Sequence, residues 1–484
     1  SSLFVHGNTR VSKMDQNNDG FMDNPLAKQI NVMNRYQYYD AEKGLVSFIN
    51  FRYMNDKKQS GEVDFDPDRD RGTTNRWGSE INTQRLDLAT KVGYVFKDMP
   101  FQSIGFQNAF TLHNQNSYYG LNVYDIKQSS FYSNLIFNSI INNTKHKFAT
   151  GINFAYDNYN EFVGLTDYGR VDNSVGAFFE YTYDNDDNFS LVLGGRVDNH
   201  NRLGTFVTPR LHLRYNPWEK SVLRFSAGRG KRAANIFAEN QSLFASSRTF
   251  SILDTDGKIY GLNPEIAWNY GLSFNQKFQL FGRNGDAGFD LYRTDFQNQA
   301  VVDVMQSPQQ VLFYNLKGKS YATSLQIEFN YELANRFSLR SAYKYYDIQT
   351  QYLSGVYQRP LQAKHRFFGN LEYETGRSES GSQWRFDATY NWLGKQQLPV
   401  TASNPAQDRL PEFSPSYNLI NAQVTHVFSS NFEIYVGGEN IGNYKQSKAI
   451  LGAETPFGPT FDASIVYAPI FGQMYYAGLR FKIK

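Results

Sequence analysis

The last ten residues of the chain alternate two chemistries residue by residue. Tyr475, Ala477, Leu479, Phe481 and Ile483 share one parity, and Tyr476, Gly478, Arg480, Lys482 and Lys484 share the other. A period of two marks an extended strand, whose successive side chains point to opposite faces. One face is therefore apolar and the other polar or charged. The same dyad sets Leu86, Leu88, Val92, Tyr94 and Phe96 against Arg85, Asp87, Lys91 and Gly93. It recurs with Phe337, Leu339, Tyr343 and Tyr345 against Ser338, Arg340 and Lys344, and with Trp384, Phe386, Ala388, Tyr390 and Trp392 against Arg385, Asp387, Thr389 and Asn391. In a soluble sandwich the apolar face turns inward. Repeated over about 20 segments of roughly 10 to 15 residues, it is better placed against lipid, because a tilted spanning strand needs about 9–11 residues. The expected fold is all-β: an antiparallel transmembrane β-barrel in an outer membrane.

Composition supports a barrel from another side. Across 484 residues no linker or charge block divides the chain, which favours one architecture over residues 1–484. The mean hydropathy is −0.56 and no run of 18 apolar residues occurs, which excludes helical spans but not strands, half of whose residues are polar. Forty Phe and 34 Tyr suit aromatic girdles at two membrane interfaces. The absence of Cys removes disulfides and thiolate metal sites, and a net charge of +3 carried on scattered Lys and Arg gives no nucleic-acid footprint. A soluble propeller would show a repeat of about 40–45 residues, which is not found. No catalytic motif appears, and Asp198 with His200 imitates a dyad without a nucleophile, so no enzyme is expected.

Connections alternate in length as well. Short turns are expected near 98–100, 141–144, 184–187, 216–219, 282–285, 334–336 and 429–431; long loops near 11–28, 55–82, 113–125, 230–263, 299–314, 350–363, 395–415 and 443–471. Bacterial barrels keep short turns in the periplasm and long loops outside, so the last strand descends to the periplasm.

Several stretches resemble one family. Pro209 to Tyr215 followed by Leu223 to Asn235, then Leu262 to Tyr270, Tyr314 to Gly318 with Ser324 to Glu328, and Val436 to Asn443, are similar in order and spacing to the barrels of TonB-dependent outer-membrane receptors. The stretches Asp19 to Asp23 and Phe237 to Asn240 look closest to receptors of the Bacteroidota. The resemblance implies a 22-stranded barrel in the outer membrane of a Gram-negative bacterium, closed by an N-terminal plug and energised through TonB. Its cargo would be a scarce nutrient such as a ferric siderophore, haem, cobalamin or metal chelate. Partners implied are outer-membrane lipid and lipopolysaccharide, the plug, TonB and a surface lipoprotein; nucleic acid is not among them. Neither plug nor TonB box is found in the sequence, and about 20 strands leave one hairpin short of 22. The reading is a C-terminal portion of a longer receptor, with a passive pore or a structural barrel subunit as the alternative.

Candidate sites lie in the long loops. Asp15, Asn17, Asp19, the Phe21 carbonyl and Asp23 occupy calcium-loop positions 1, 3, 5, 7 and 9, with Gly20 at the tight turn; Leu26 stands where a helix-loop-helix hand carries its bidentate Glu. No cofactor is required by this reading, and calcium in loop 15–23 competes with a polar Asx-turn. Asp64 to Asp70 is a less specific acidic cluster. Ligand candidates are His113, Tyr118, Tyr119 and Tyr124 on one loop, and Arg229, Lys231, Arg232, Asn235, Glu239, Asn240 and Arg248 on another. Arg229, Lys231 and Arg232 also suit loop packing or lipopolysaccharide phosphate. The inward row Arg85, Lys91, Arg224, Arg340, Lys344, Arg385 and Arg480, with Asp87 and Asp387, suits either a docked plug or a self-neutralised wall.

Overall fold

In the computed structural model, which describes residues 1–483, the chain forms one antiparallel sheet of 22 strands and a separate sheet of three. Lys484, part of the terminal alternation, lies outside the described residues. Two members of the large sheet, Thr166–Asp167 and Gly355–Gln358, are short hairpin arms. The remaining twenty run in chain order. They are β1 (Ser2–Arg10), β2 (Leu26–Asp40), β3 (Leu45–Gly61), β4 (Gly78–Val95), β5 (Ser103–Tyr119), β6 (Asn122–Ile141), β7 (Asn143–Val163), β8 (Arg170–Asp184), β9 (Phe189–His200) and β10 (Gly204–Tyr215). Then come β11 (Ser221–Arg232), β12 (Glu265–Leu280), β13 (Arg283–Asn298), β14 (Ser320–Ala334), β15 (Phe337–Tyr352), β16 (His365–Glu374), β17 (Gln383–Leu393), β18 (Tyr417–Ser429), β19 (Phe432–Glu439) and β20 (Met474–Phe481).

Each strand pairs with its neighbours in sequence, so the meander read from the alternation is the observed topology. The outward parity carries the apolar belt. Leu88, Phe110, Phe131, Phe154, Phe179, Leu291, Ile327, Leu371 and Ile434 are all 36% exposed or more, while their sequence neighbours face the lumen. Register keeps this facing across the sheet: Leu88 opposes Phe110, which opposes Phe131, and Asp87 opposes Thr111 on the inner side. A slip by one residue would turn every apolar side chain inward.

Strands are longer and less uniform than the sequence suggests, from 8 residues in β20 to 21 in β7. Residues 55–82 are not one loop, because β3 runs to Gly61 and β4 begins at Gly78. Residues 113–125 are not a loop at all: β5 and β6 meet at a tight turn with Gly120 at φ +60°. Polar runs such as His113-Asn114-Gln115-Asn116 read as loop by composition, but there the ladder extends past the apolar belt and both faces are polar. Among the described residues β1 pairs only with β2 and β20 only with β19, which leaves two sheet edges. The loops above these edges are tied, with Lys445 Nζ donating to the Gln16 carbonyl at 2.8 Å and Gly472 N to Gln16 Oε1 at 2.7 Å.

Candidate functional site

The long loops fold into a crown with its own core. In the loop between β11 and β12, Thr249–Ile252 pairs in parallel with Gln310–Asn315 from the loop between β13 and β14, which pairs in turn with Ala300–Asp303. On this small sheet Phe244 lies 4.6 Å from Phe250, 5.3 Å from Tyr124 and 5.9 Å from Tyr119, ring centroid to centroid. Phe237 packs against Tyr168, Tyr260 and Phe313. Full burial of such side chains stabilises by roughly 1.5–3 kcal/mol each, so the crown is a packed body and not a set of free loops.

Loops far apart along the ladder meet there. The loop between β19 and β20 brings Phe461 to within 5.0 Å of Trp77 and 5.9 Å of Phe21. Ser247 N donates to the Phe461 carbonyl and Ala463 N to that of Ala245, both at 2.9 Å. Beside them Arg248 Nε donates to Asp462 Oδ2 at 2.9 Å, both side chains being almost wholly buried. Asp408, from the loop between β17 and β18, accepts from Lys448 Nζ at 3.0 Å, Gly452 N at 3.1 Å and Thr460 Oγ1 at 2.8 Å. Burial pushes the Asp408 carboxyl up, but these bonds outweigh it and hold the group below its ordinary value.

A second polar knot fastens the crown to β7 and β8. Arg170 donates to Glu161 at 3.1 Å, to Asp172 at 3.1 Å, to Tyr260 at 2.8 Å and to Asn235. Tyr124 donates to Glu161 at 2.9 Å, and so does Tyr260. Burial and the Glu161 carboxylate push the Tyr260 hydroxyl well above its ordinary value, which keeps it a donor. Glu161, Arg170, Tyr260, Asp408 and Asp462 were not singled out from the sequence. Nothing local marks them, since each meets partners remote in the chain.

The ligand candidates separate into different places. His113, Tyr118, Tyr119 and Tyr124 lie on strands, and only Tyr119 and Tyr124 come together, both against Phe244. Tyr118 is buried beneath Arg71 and donates to Glu80 at 2.8 Å, while Tyr119 and Tyr124 are core residues of the crown. Arg248 and Asn235 are spent on the two polar knots. Arg232 points inward, donating to Glu265 at 2.7 Å and to Glu239 at 2.8 and 3.0 Å. Arg229 and Lys231 have the opposite parity: Arg229 donates to the Val207 carbonyl at 3.3 Å and to Gln297 Oε1 at 3.2 Å, and Lys231 to the Leu203 carbonyl at 2.8 Å with its Nζ 4.7 Å from the Phe206 ring centroid. Arg232, Glu239 and Asn240 line a cavity of about 470 Å³ under the crown, with Gln299 and Arg359. Arg359 joins no ion pair among the described residues.

On the lumen wall most of the inward row is neutralised. Arg85 pairs with Asp87, Arg340 with Glu372, Arg385 with Glu374, and Arg480 with Glu433. Asp387 accepts from Asn370. Lys91, Arg224 and Lys344 join no ion pair among the described residues, and Arg224 stands directly opposite Arg214, which joins none either. Asp198 is held by Arg196, and His200 Nδ1 accepts from the amide of Arg202, so those two residues are spent on structure.

In the loop 11–25 the carboxylates bind amides. Asp15 accepts from the amides of Asp19 and Gly20, Asp19 from Phe21 N and Asn17 Nδ2, and Asp23 from Gln16 N. Burial raises the Asp19 and Asp23 carboxyls above 3.8, and Asp15 repels both. Among the described residues no group of three His, Cys, Asp or Glu is placed to hold a metal. In Asp64 to Asp70, Asp66 caps the turn Pro67–Asp70 and Arg69 donates twice to Asp70, which is a structural arrangement.

The fold has solved counterparts. It is similar to a mutant of the ferric enterobactin receptor PfeA from Pseudomonas aeruginosa, with TM-score 0.68, 12% identity, and coverage of 98% of this chain and 72% of that one. FpvA of P. aeruginosa bound to heterologous pyoverdines gives TM-score 0.68 and 13% identity over 99% and 67%. The copper transporter OprC gives TM-score 0.68 and 12% identity over 99% and 75%. The chain thus spans two thirds to three quarters of these proteins' lengths, and identities this low establish shared fold alone. No curated protein matches the sequence. A family model for the TonB dependent receptor-like β-barrel matches residues 11–441, the greater part of the meander together with most of the crown. The chain belongs to the family of TonB-dependent receptor-like β-barrels.

Proposed function

We propose that this chain is the barrel of an outer-membrane receptor that takes up a scarce nutrient, driven through TonB, and that the cargo is recognised beneath the crown. The observation that carries this is a lumen roofed by a packed crown over a cavity of about 470 Å³ with convergent polar groups, Arg232, Glu239, Asn240, Gln299 and Arg359. The apolar outward belt supports a lipid setting. Ferric enterobactin and copper in the names of structural relatives support a chelated metal among the cargo classes.

A plug within the lumen is part of the proposal. Arg214 and Arg224 repel each other across the β10–β11 ladder, an arrangement that an acidic group from inside the barrel would relieve. The two edges at β1 and β20 support further strands beside them, since unpaired backbone groups in lipid cost several kcal/mol each.

Growth of a strain lacking the full gene tests the reading. Failure on one iron, copper or vitamin source at low concentration, restored by the full gene and not by a gene whose Arg232, Glu239 and Arg359 are replaced by Ala, is the expected result. Unchanged growth on every limiting source would remove the uptake reading.

A further inference from the structure

The inward parity of β15 leads from the crown cavity down into the lumen. Ile348, Thr350 and Tyr352 line the cavity, and Tyr346 and Lys344 follow on the same face at steps of about 6–7 Å. On the next strand Arg366 stands directly opposite Lys344. It is the second residue of β16, at the outer end of the lumen, and the loop leading to it carries Arg359, Pro360 and Leu361 of the cavity lining. Arg359 N donates to the Ile348 carbonyl at 2.9 Å, which seats that loop beside the β15 face. Leu361 has φ +59°, a left-handed backbone that a bulky side chain rarely adopts. Its N donates to the Gln397 carbonyl at 2.9 Å and its side chain packs on Leu398, Leu451 and Ile465, so the crown itself holds the turn that presents Arg359.

Arg359, Lys344 and Arg366 thus meet in the upper lumen, and none joins an ion pair among the described residues. Lys344 Nζ lies 5.1 Å and Arg366 Cζ 5.9 Å from the centroid of one ring, that of Tyr346. Neither head makes a hydrogen bond among the described residues, and Arg366 Nε is buried without a partner. The tyrosine face offsets part of the repulsion, but like charges directly opposite on a ladder destabilise it. The nearest inward carboxylates are engaged elsewhere. Glu328, diagonal to Lys344, accepts from Gln326 Nε2, and Glu372, six residues along β16, pairs with Arg340. Asp290 lies a further strand away, opposite Gln326. An Arg has five N–H donors and a Lys three, so the pair is an open clasp for oxygen anions.

We propose that the cargo is an anion bearing carboxylate or phosphate oxygens, and that it passes from Arg359 under the crown to the clasp that Lys344 and Arg366 form over Tyr346. This rests on the uptake reading above and gives that cargo its charge. Uncharged solutes and bare metal cations fall outside it. Lys344 then belongs to the uptake path, and neither to a plug contact nor to a self-neutralised wall.

The test titrates the full-length protein with citrate in a calorimeter at neutral pH and low salt, with sorbitol as an uncharged control. The double variant Lys344→Gln with Arg366→Gln keeps polar heads and loses both charges. Its affinity for citrate should fall on the order of tenfold, since two charge-assisted contacts go. Sorbitol should bind wild type and variant equally weakly. Lys344→Arg should retain citrate, and Arg366→Gln alone should lose part of it, which preserves the test if the double variant does not fold. Equal citrate affinity in wild type and a heat-resistant double variant would overturn the proposal. So would an equal loss in Lys91→Gln, another unpaired inward cation, which would make the effect one of overall lumen charge. A double variant that conducts ions across a planar bilayer closed by wild type would also overturn it, because the pair would then dock the plug. If the growth screen finds a limiting nutrient that is neutral or cationic, this proposal falls while the uptake reading stands; unchanged growth on every source removes the uptake reading instead.

Discussion

The wall of the barrel and the crown above it are held by different forces. In the wall, ladder hydrogen bonds fix the backbone, and inward side chains such as Arg85 and Asp87 settle with their neighbours two residues away. In the crown, short backbone pairings are held by a buried aromatic cluster and by contacts such as Arg248 with Asp462, 214 residues apart. A wall residue can therefore change with local consequences, provided its facing is kept. A crown residue cannot, because its partners come from several loops at once.

The sharpest way to break this comparison is to cut the crown and watch the wall. Arg248→Ala leaves Asp462 buried and unpaired, which costs about 3–5 kcal/mol. Hydrogen exchange should rise in residues 233–264 and 440–473 while the barrel keeps its heat resistance. A parallel loss of heat resistance would show that wall and crown are one cooperative unit.

Reversing facing in the wall comes next. Ile327→Arg places a charge on the outward belt and should cost about 2–4 kcal/mol of assembly if it lies near the bilayer midplane, whereas Gln326→Arg, on the lumen side, should cost far less. Equal yields of folded barrel would refute the assigned facing.

Acid separates two crown segments with opposite signs. Arg69 holds the Asp70 carboxyl at about 2, against the cost of its burial, so its contribution is complete above the ordinary 3.8 and is lost as pH falls through about 2. Asp19 and Asp23 are raised, chiefly by burial, so their charged forms weaken the fold increasingly as pH rises above 3.8. On acidification toward pH 3, residues 11–25 should become better protected while residues 62–77 still hold. Exchange that increases in 11–25 first would contradict this order.

The smallest effect expected is that of calcium. Bound among Asp15, Asn17, Asp19, Asp23 and the Phe21 carbonyl, it would offset the same repulsion at about 10⁻⁴–10⁻³ M. Protection of residues 11–25 from proteolysis by calcium, abolished in Asp19→Asn, is the expected outcome. Identical digestion with calcium and with chelator would leave the Asx-turn reading alone.

The strand alternation of Leu86, Leu88 and Val92, or of Trp384, Phe386 and Ala388, was legible because facing in a strand is a local property of the backbone. Turn residues were legible for the same reason, as at Arg336 and Asn142, both at positive φ. The candidate site was legible only in outline. Loop composition pointed to residues 230–263, but not that Arg232 would face the cavity and Arg248 the crown interior.

The sequence by itself determined an antiparallel barrel and its facing, because a period of two repeated over some twenty strands leaves little other choice for a half-apolar chain, but it misjudged connections such as 113–125, where the ladder continues with both faces polar. Only the tertiary structure decided which loop residues are core, which are paired and which line the cavity. Those outcomes depend on loops meeting across the mouth of the barrel, and the sum of such long-range contacts has no period to read.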